Sequence, residues 1–96
     1  MPHYFLKLNP CRPTFAQDMT DEERAIMQQH VVYWNNLMNK GMVVVFGPVF
    51  DPKGVYGMGI VEVENEQQLR ELTKNDPAAN INTYEYYPMR AITPGK

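Results

Sequence analysis

Features of secreted, membrane-bound and nucleic-acid-binding proteins are scarce in this sequence. One cysteine, Cys11, among 96 residues excludes an internal disulfide and a zinc site built from cysteines. The longest apolar run covers only residues 42–46, whereas a membrane-spanning helix needs about 20 apolar residues. Nine basic and eleven acidic side chains give a net charge of −2, while phosphate backbones and anionic lipids attract basic surfaces. We therefore expect no nucleic-acid partner and no membrane partner.

The N-terminus also lacks the marks of a targeting signal. It has neither the basic segment nor the long apolar segment of a signal peptide. A lone thiol suits a reducing compartment, so we expect a cytoplasmic location. The composition, with 44 % apolar and 21 % charged residues, is that of a globular protein. A chain of this length is typical of one domain, which we expect to span residues 1–96.

The first 20 residues have the pattern of a strand followed by a loop. Side chains alternate in character over residues 3–8, which indicates a strand. Pro10 and Pro13 end it, because proline fixes φ and lacks a backbone donor. We expect residues 9–20 to be a loop, and loops of this length are often functional.

A long helix is predicted to follow, from residue 20 to about Lys40. Thr20 and Glu23 have the spacing of a capping box, and Gly41 is a favourable residue just beyond a helix end. One helix face carries a stripe at three- and four-residue spacing, formed by Ile26, His30, Trp34 and either Leu37 or Met38. The stripe places a histidine on the buried face of the helix.

The middle of the chain has the pattern of a hairpin. Residues 42–46 are expected to form a strand that Gly47 and Pro48 close. The segment Asp51–Gly54 is a strong turn signal, and Tyr56–Glu64 is the next expected strand.

A second helix and a last strand complete the pattern. Asn65 and Gln68 have capping-box spacing, and leucines follow at helical spacing. The dipeptide Asp76-Pro77 ends this helix, because the residue before proline avoids the helical region. Residues 81–89 are the last expected strand.

The resulting order, β-α-β-β-α-β, predicts an α+β ferredoxin-like domain. Such a domain has a four-stranded antiparallel sheet with two helices on one face. The strands here are apolar on both sides: Val61 and Val63 point one way, Met58 and Ile60 the other. Because a large exposed apolar face is a liability on a monomer, we expect a homodimer packed through this sheet face.

Two residues are candidates for chemistry. His30 lies on the buried stripe, where an imidazole needs a partner for at least one ring nitrogen. Asp76 follows the second helix, at the end that approaches the same sheet face. If the two converge, the carboxylate fixes the tautomer of His30 and leaves its other nitrogen as a base or acid. Two simpler interpretations stay open: His30 bonded to a backbone carbonyl, and Asp76 accepting N–H bonds in its own turn.

The order and spacing of these motifs resemble the YciI-like, or YCII-related, family. The resemblance covers about residues 3–90. Its motifs are the opening Tyr4-Phe5-Leu6, the helical segment His30–Leu37, Phe46–Val49, Gly57–Val63, Asn75-Asp76-Pro77 and a closing strand that ends near Pro88.

The resemblance implies a ferredoxin-like dimeric α/β barrel with an active site at His30 and Asp76. The cleft would lie between helices and sheet, and the expected substrate-binding residues are Gly47, Pro48 and Trp34. Family members discussed as enzymes act on small organic molecules, and dehydrochlorination is among their reactions.

We therefore expect a small-molecule enzyme that uses the His–Asp pair for cofactor-free elimination, isomerisation or hydrolysis. No cofactor is expected, because Gly57-x-Gly59 lies within a strand and lacks the helix of a phosphate-binding loop. No metal is expected either, since the two histidines lack carboxylates at ligand spacing. One alternative is a non-catalytic ligand-binding or accessory dimer. Another is a haem-binding protein or cofactor-free monooxygenase, with His30 as the axial ligand for haem.

Overall fold

The computed structural model describes residues 1–94 and has an α+β ferredoxin-like fold, which confirms the predicted fold class. Its elements in chain order are β1 (His3–Asn9), α1 (Phe15–Asp18), α2 (Asp21–Asn39), β2 (Val43–Val49), β3 (Tyr56–Glu62), α3 (Glu66–Lys74), a 3-10 helix (Pro77–Asn80) and β4 (Thr83–Met89). The strands form one antiparallel sheet in the order β2-β3-β1-β4, so β1 and β3 are central. No helix in residues 1–94 has the length and apolar character needed to cross a membrane.

Helix α2 starts at the capping box that the sequence predicts. The Thr20 hydroxyl accepts from the Glu23 N–H at 3.1 Å, and the Glu23 carboxylate accepts from the Thr20 N–H at 2.9 Å. These reciprocal bonds satisfy two donors that have no partner within the helix. The chain turns out of α2 at Gly41, whose φ of 82° lies in the left-handed region that favours glycine.

The start of α3 differs slightly from a capping box. Asn65 Oδ1 accepts from the Gln68 N–H at 2.8 Å, as predicted. The Gln68 side chain accepts from the N–H of Glu64 at 2.7 Å, rather than from that of Asn65. Both bonds fix the direction in which the chain enters α3.

The core lies between the sheet and the two long helices. Leu6 of β1, Val61 of β3 and Leu69 of α3 are at most 1 % exposed. Burying one such side chain contributes about 1.5–3 kcal/mol. The core cluster comprises Leu6, Trp34, Leu37, Val43, Val61, Val63, Leu69 and Leu72.

The opposite sheet face is not covered by residues 1–94, and it carries an apolar patch beside the charged Lys7, Glu62 and Glu85. Phe5 and Tyr87 stack there with ring centroids 6.5 Å apart, and Ile60 of the neighbouring strand is half-buried. A register shift between Val43 and Val45 leaves Val45 46 % exposed beside this face. We refer to Phe5, Val45, Ile60 and Tyr87 as the outer sheet patch.

Two expectations about loops are wrong. Residues 9–20 contain a one-turn helix, α1, because Phe15 is buried and its N–H bonds the Arg12 carbonyl at 3.1 Å. Gly47 and Pro48 lie within β2 and do not close it. The strand β2 forms an edge of the sheet, where proline is tolerated because an edge strand has one side free of ladder bonds.

Two strand boundaries also differ from the prediction. β3 ends at Glu62, two residues earlier than expected. The last strand begins at Thr83, because residues 77–80 form the 3-10 helix that Asp76 caps.

Candidate active site

His30 and Asp76 meet between the two long helices. His30 Nδ1 on α2 lies 2.7 Å from Asp76 Oδ2, which follows the end of α3. The other carboxylate oxygen, Oδ1, accepts from the Ala78 N–H at 2.9 Å and so caps the 3-10 helix. The turn role of Asp76 and its contact with His30 therefore coexist, one on each oxygen.

Two further side chains donate to the same carboxylate oxygen. Trp34 Nε1–H reaches Asp76 Oδ2 at 2.9 Å, and the Tyr84 hydroxyl of β4 also donates to Oδ2. Trp34 Nε1–H lies 3.2 Å from the Tyr84 oxygen as well. Asp76 is 2 % exposed, so these donors replace the water that would otherwise solvate its charge.

Burial and hydrogen bonding act in opposite directions on Asp76. Burial raises the pKa of its carboxyl, but the hydrogen bonds from His30 and Tyr84 outweigh burial and hold that pKa below its usual range. Burial raises the pKa of Tyr84, and the negative charge of Asp76 raises it further. At neutral pH, Asp76 is therefore a carboxylate and Tyr84 a neutral donor.

This charge distribution determines the tautomer of His30. A carboxylate only accepts hydrogen bonds, so the proton of the neutral imidazole lies on Nδ1. The lone pair is then on Nε2. Because the side chain of His30 lines a cavity and is 13 % exposed, it can act on a molecule held there.

The cavity beside His30 has a volume of about 260 Å³ and lies between α2 and the sheet. Its floor includes Gly57 and Gly59 of β3, where no side chain fills the space. A Cβ atom at Gly59 would come within 3.2 Å of the Trp34 ring. Among residues 1–94, the cavity lining includes no lysine, arginine, aspartate or glutamate. The site is therefore apolar apart from His30, Asn82, tyrosine hydroxyls and the backbone.

The segment of residues 10–19 contributes Phe15 and Met19 to the cavity wall. Arg12 links this segment to α2 through a bidentate salt bridge, in which it donates to both carboxylate oxygens of Glu23 at 2.8 and 2.9 Å. Its guanidinium also lies 5.3 Å from the centre of the Phe15 ring. Hydrogen bonds from Arg12, then from the Thr20 backbone, lower the pKa of Glu23 to about 2.

The residues expected to bind substrate, Gly47, Pro48 and Trp34, all line this cavity. Trp34 has a second contact that the sequence did not predict, its bond to Asp76. Sequence reasoning also missed Tyr84. The alternation of tyrosines in the last strand was a usable signal, but it did not indicate which tyrosine lies opposite Asp76.

The residues and the volume of the site can be compared with what a metal ion or a haem requires. In residues 1–94, no group of three or more histidine, cysteine, aspartate or glutamate side chains is placed to hold a metal ion. Nδ1 of His30 contacts Asp76, so Nε2 is the ring nitrogen that could coordinate a haem iron. A cavity of about 260 Å³ falls below the range of roughly 300–1,000 Å³ typical of drug-sized ligands, so a porphyrin would have to open it.

Comparisons with known proteins agree with this fold. Among solved structures, the chain is similar to the 5-chloro-2-hydroxyhydroquinone dehydrochlorinase TftG from Burkholderia phenoliruptrix, in complex with 2,5-dihydroxybenzoquinone. The TM-score is 0.61 at 22 % sequence identity over 93 % of each chain, a similarity that shows a shared fold. No curated protein matches the sequence. The YCII-related domain matches residues 4–93, and the chain therefore belongs to the YCII-related family.

Proposed function

We propose that the protein is an enzyme that moves a proton on a small organic molecule bound in the cavity. His30 acts as proton acceptor and donor, and Asp76 orients its ring. The observation that carries this proposal is the 2.7 Å contact between His30 Nδ1 and Asp76 Oδ2 beside an apolar cavity. General acid–base catalysis by a positioned group contributes about 10²- to 10⁴-fold to a rate.

The chemistry that suits this pair is elimination, isomerisation or hydrolysis without a cofactor. In an elimination, Nε2 takes a proton from the substrate, and the electron pair of the broken bond forms a new double bond. The leaving group departs with its own bonding pair, and Asp76 stabilises the imidazolium until the proton passes to water. Hydrolysis uses the same base on a water molecule.

The substrate we propose is small, largely apolar and without a strong anionic group. The part of the lining that residues 1–94 form offers no lysine or arginine to pair with a carboxylate or phosphate, and the charge of Asp76 lies next to His30. Trp34 and Phe46, with ring centroids 5.9 Å apart, offer flat surfaces to a ring, and Gly47 and Pro48 form the wall beside them. The similar dehydrochlorinase, which binds a quinone, supports a substrate of this size.

The single tryptophan makes ligand binding directly measurable. Trp34 lines the cavity, so a bound neutral quinone such as tetramethyl-1,4-benzoquinone is expected to quench its fluorescence in a saturable way. A panel of halogenated and hydroxylated ring compounds, beginning with 5-chloro-2-hydroxyhydroquinone, is then assayed for turnover. Failure of the whole panel to quench Trp34 would contradict a small-molecule site.

His30→Gln separates catalysis from binding. Glutamine keeps a polar side chain but cannot serve as a base near neutral pH, so we expect quenching to persist and turnover to fall about 10²-fold or more. His3→Gln is the matched control, because His3 lies in β1 and does not line the cavity. Unchanged turnover in His30→Gln would rule out the proposed base. If the wild-type protein binds compounds of the panel but turns over none of them, it is better described as a non-catalytic binding protein.

We also propose that two chains pair through the outer sheet patch. Val45 and Tyr87 are 46 % and 51 % exposed in the single chain, on strands where an isolated protein would favour polar residues. Sedimentation equilibrium at micromolar concentration should give about twice 11.1 kDa, and Ile60→Lys should give half of that. A wild-type monomer would contradict the pairing.

A cytoplasmic location is part of the same proposal. The exposed, free thiol of Cys11 suits a reducing compartment. Cell fractionation with antibody detection tests it, and recovery from an oxidising compartment would contradict it.

A further inference from the structure

The charge of Asp76 needs more than His30 to be stable in its position. A buried carboxylate without partners costs several kcal/mol, and the cost falls as donors replace water. Asp76 has a side chain that is 0 % exposed, yet three of the four donors described above cannot carry a positive charge. The neutral donors are Trp34 Nε1–H, the Tyr84 hydroxyl and the Ala78 N–H.

Tyr84 has a distinct place among these donors. Its hydroxyl has one proton, and Trp34 Nε1–H points at the same oxygen from 3.2 Å. Because that contact occupies a lone pair, the hydroxyl proton is directed at Asp76. Trp34 thus donates to Tyr84, and Tyr84 donates to Asp76. Trp34 also donates directly to Asp76.

We infer that Tyr84 is a positioning residue of the His–Asp site, whose hydroxyl keeps Asp76 ionised and aimed at Nδ1 of His30. The inference rests on the proposed function, because a neutral imidazole is the form that can accept a proton at Nε2. Tyr84 does not exchange protons with the substrate. It acts through Asp76.

The other titratable groups around Asp76 do not replace this function. On α2, His30 donates through Nδ1, and the Tyr33 hydroxyl donates to the Leu72 carbonyl at 2.7 Å rather than to Asp76. Burial, and then the charge of Asp76, raise the pKa of Tyr33, so it stays neutral together with Tyr84. On β4, the group that faces Asp76 is Tyr84 itself.

A pair of tyrosines on one strand provides the test. Tyr84 and Tyr86 lie two residues apart on the same face of β4, but the Tyr86 hydroxyl donates to the exposed carboxylate of Glu66, at 3.2 Å. Tyr84→Phe and Tyr86→Phe thus remove the same atom from the same kind of position. The carboxyl carbon of Asp76 is followed by NMR during an acid titration, and the pH midpoint of acid unfolding is measured in parallel.

We expect Tyr84→Phe to move the titration of Asp76 upward by about one pH unit, the scale of one hydrogen bond to a charged group. Tyr86→Phe should leave it at the wild-type midpoint. Tyr84→Phe should change the pH midpoint of acid unfolding less in the Asp76→Asn background than in the wild type, because the amide oxygen that then accepts the hydroxyl proton carries no charge. An Asp76 titration that Tyr84→Phe leaves unchanged would overturn the inference.

A measurement on the wild-type protein tests the inference even if Tyr84→Phe fails to fold. The Tyr84 hydroxyl proton should exchange slowly with water and be visible by NMR, while that of Tyr86 exchanges fast. Fast exchange at Tyr84 would overturn the inference as well. Neither readout requires turnover, so the inference and the proposed base, tested by His30→Gln, can fail separately.

Discussion

Replacing Asp76 with asparagine perturbs both functions of this side chain at once. Asparagine has nearly the same shape, but it offers one acceptor oxygen where the carboxylate offers two. In the wild type, Oδ2 of Asp76 accepts from His30, Trp34 and Tyr84, and Oδ1 accepts from the Ala78 N–H. A neutral amide cannot serve both sets.

The loss of stability in Asp76→Asn can be worked out for the amide orientation that keeps more hydrogen bonds. With its oxygen toward the three side-chain donors, its NH₂ group faces the Ala78 N–H, and an unpaired buried donor costs about 1–3 kcal/mol. The remaining bonds lose the charge assistance that roughly doubles such interactions. We expect Asp76→Asn to lower the free energy of unfolding by about 2–4 kcal/mol at pH 7. That loss corresponds to about 10–30 °C in Tm for a domain of this size, which should remain folded at 25 °C.

The loss should depend on pH in a defined direction. The folded pKa of Asp76 lies below the unfolded value of about 3.9, so the ionised carboxylate stabilises the wild type above that pH. This stabilisation is lost as the pH falls through the folded pKa. The difference in unfolding free energy between Asp76→Asn and wild type should therefore narrow in acid.

Urea unfolding at several pH values measures this difference. Asp51→Asn is the matched control, since Asp51 Oδ1 also accepts the N–H two residues ahead, at 2.9 Å, but in an exposed turn. We expect little change there. The reasoning is refuted if Asp76→Asn and wild type have equal stability at pH 7, or if their difference stays constant down to the acid limit of folding.

Two further predictions concern the walls of the cavity. Gly59→Ala should cost about 1–3 kcal/mol and weaken quinone quenching of Trp34, because the added Cβ would lie 3.2 Å from that ring. Gly47→Ala should be nearly neutral in stability, since nothing lies within 4 Å of its added Cβ; equal losses in both variants would contradict the packing argument. Arg12→Ala should speed amide hydrogen exchange in residues 12–19 with little change in Tm, whereas Arg24→Ala, which removes an exposed contact of 3.4 Å, should not.

Local signals in the sequence were enough to predict the fold class and most elements. Thr20 and Asn65 mark the starts of α2 and α3 because capping depends on residues three positions apart. Pro48 misled the prediction, because its effect depends on whether β2 is an edge strand, which is a property of the assembled sheet. The helix α1 is too short for periodicity to indicate it and depends on the burial of Phe15.

The site was predictable only in part for the same reason. His30 stood out as a polar residue on a buried helical stripe, and Asp76 as an acid at a helix end. Tyr84 carries no local signal that distinguishes it from Tyr86, because the difference arises from the position of β4 relative to Asp76. The second function of Trp34, as a donor to Asp76, also depends on contacts between residues 42 positions apart.

We propose that Asp76 holds the proton of neutral His30 on Nδ1 and leaves Nε2 unprotonated. Nitrogen-15 NMR of the two histidine rings tests this directly, with His3 as an internal reference for a ring outside the site. For neutral His30 we predict a protonated Nδ1 with a downfield, slowly exchanging proton, and an unprotonated Nε2. A neutral His30 with its proton on Nε2 would contradict the proposed base, because Nε2 would then have no lone pair to accept a proton.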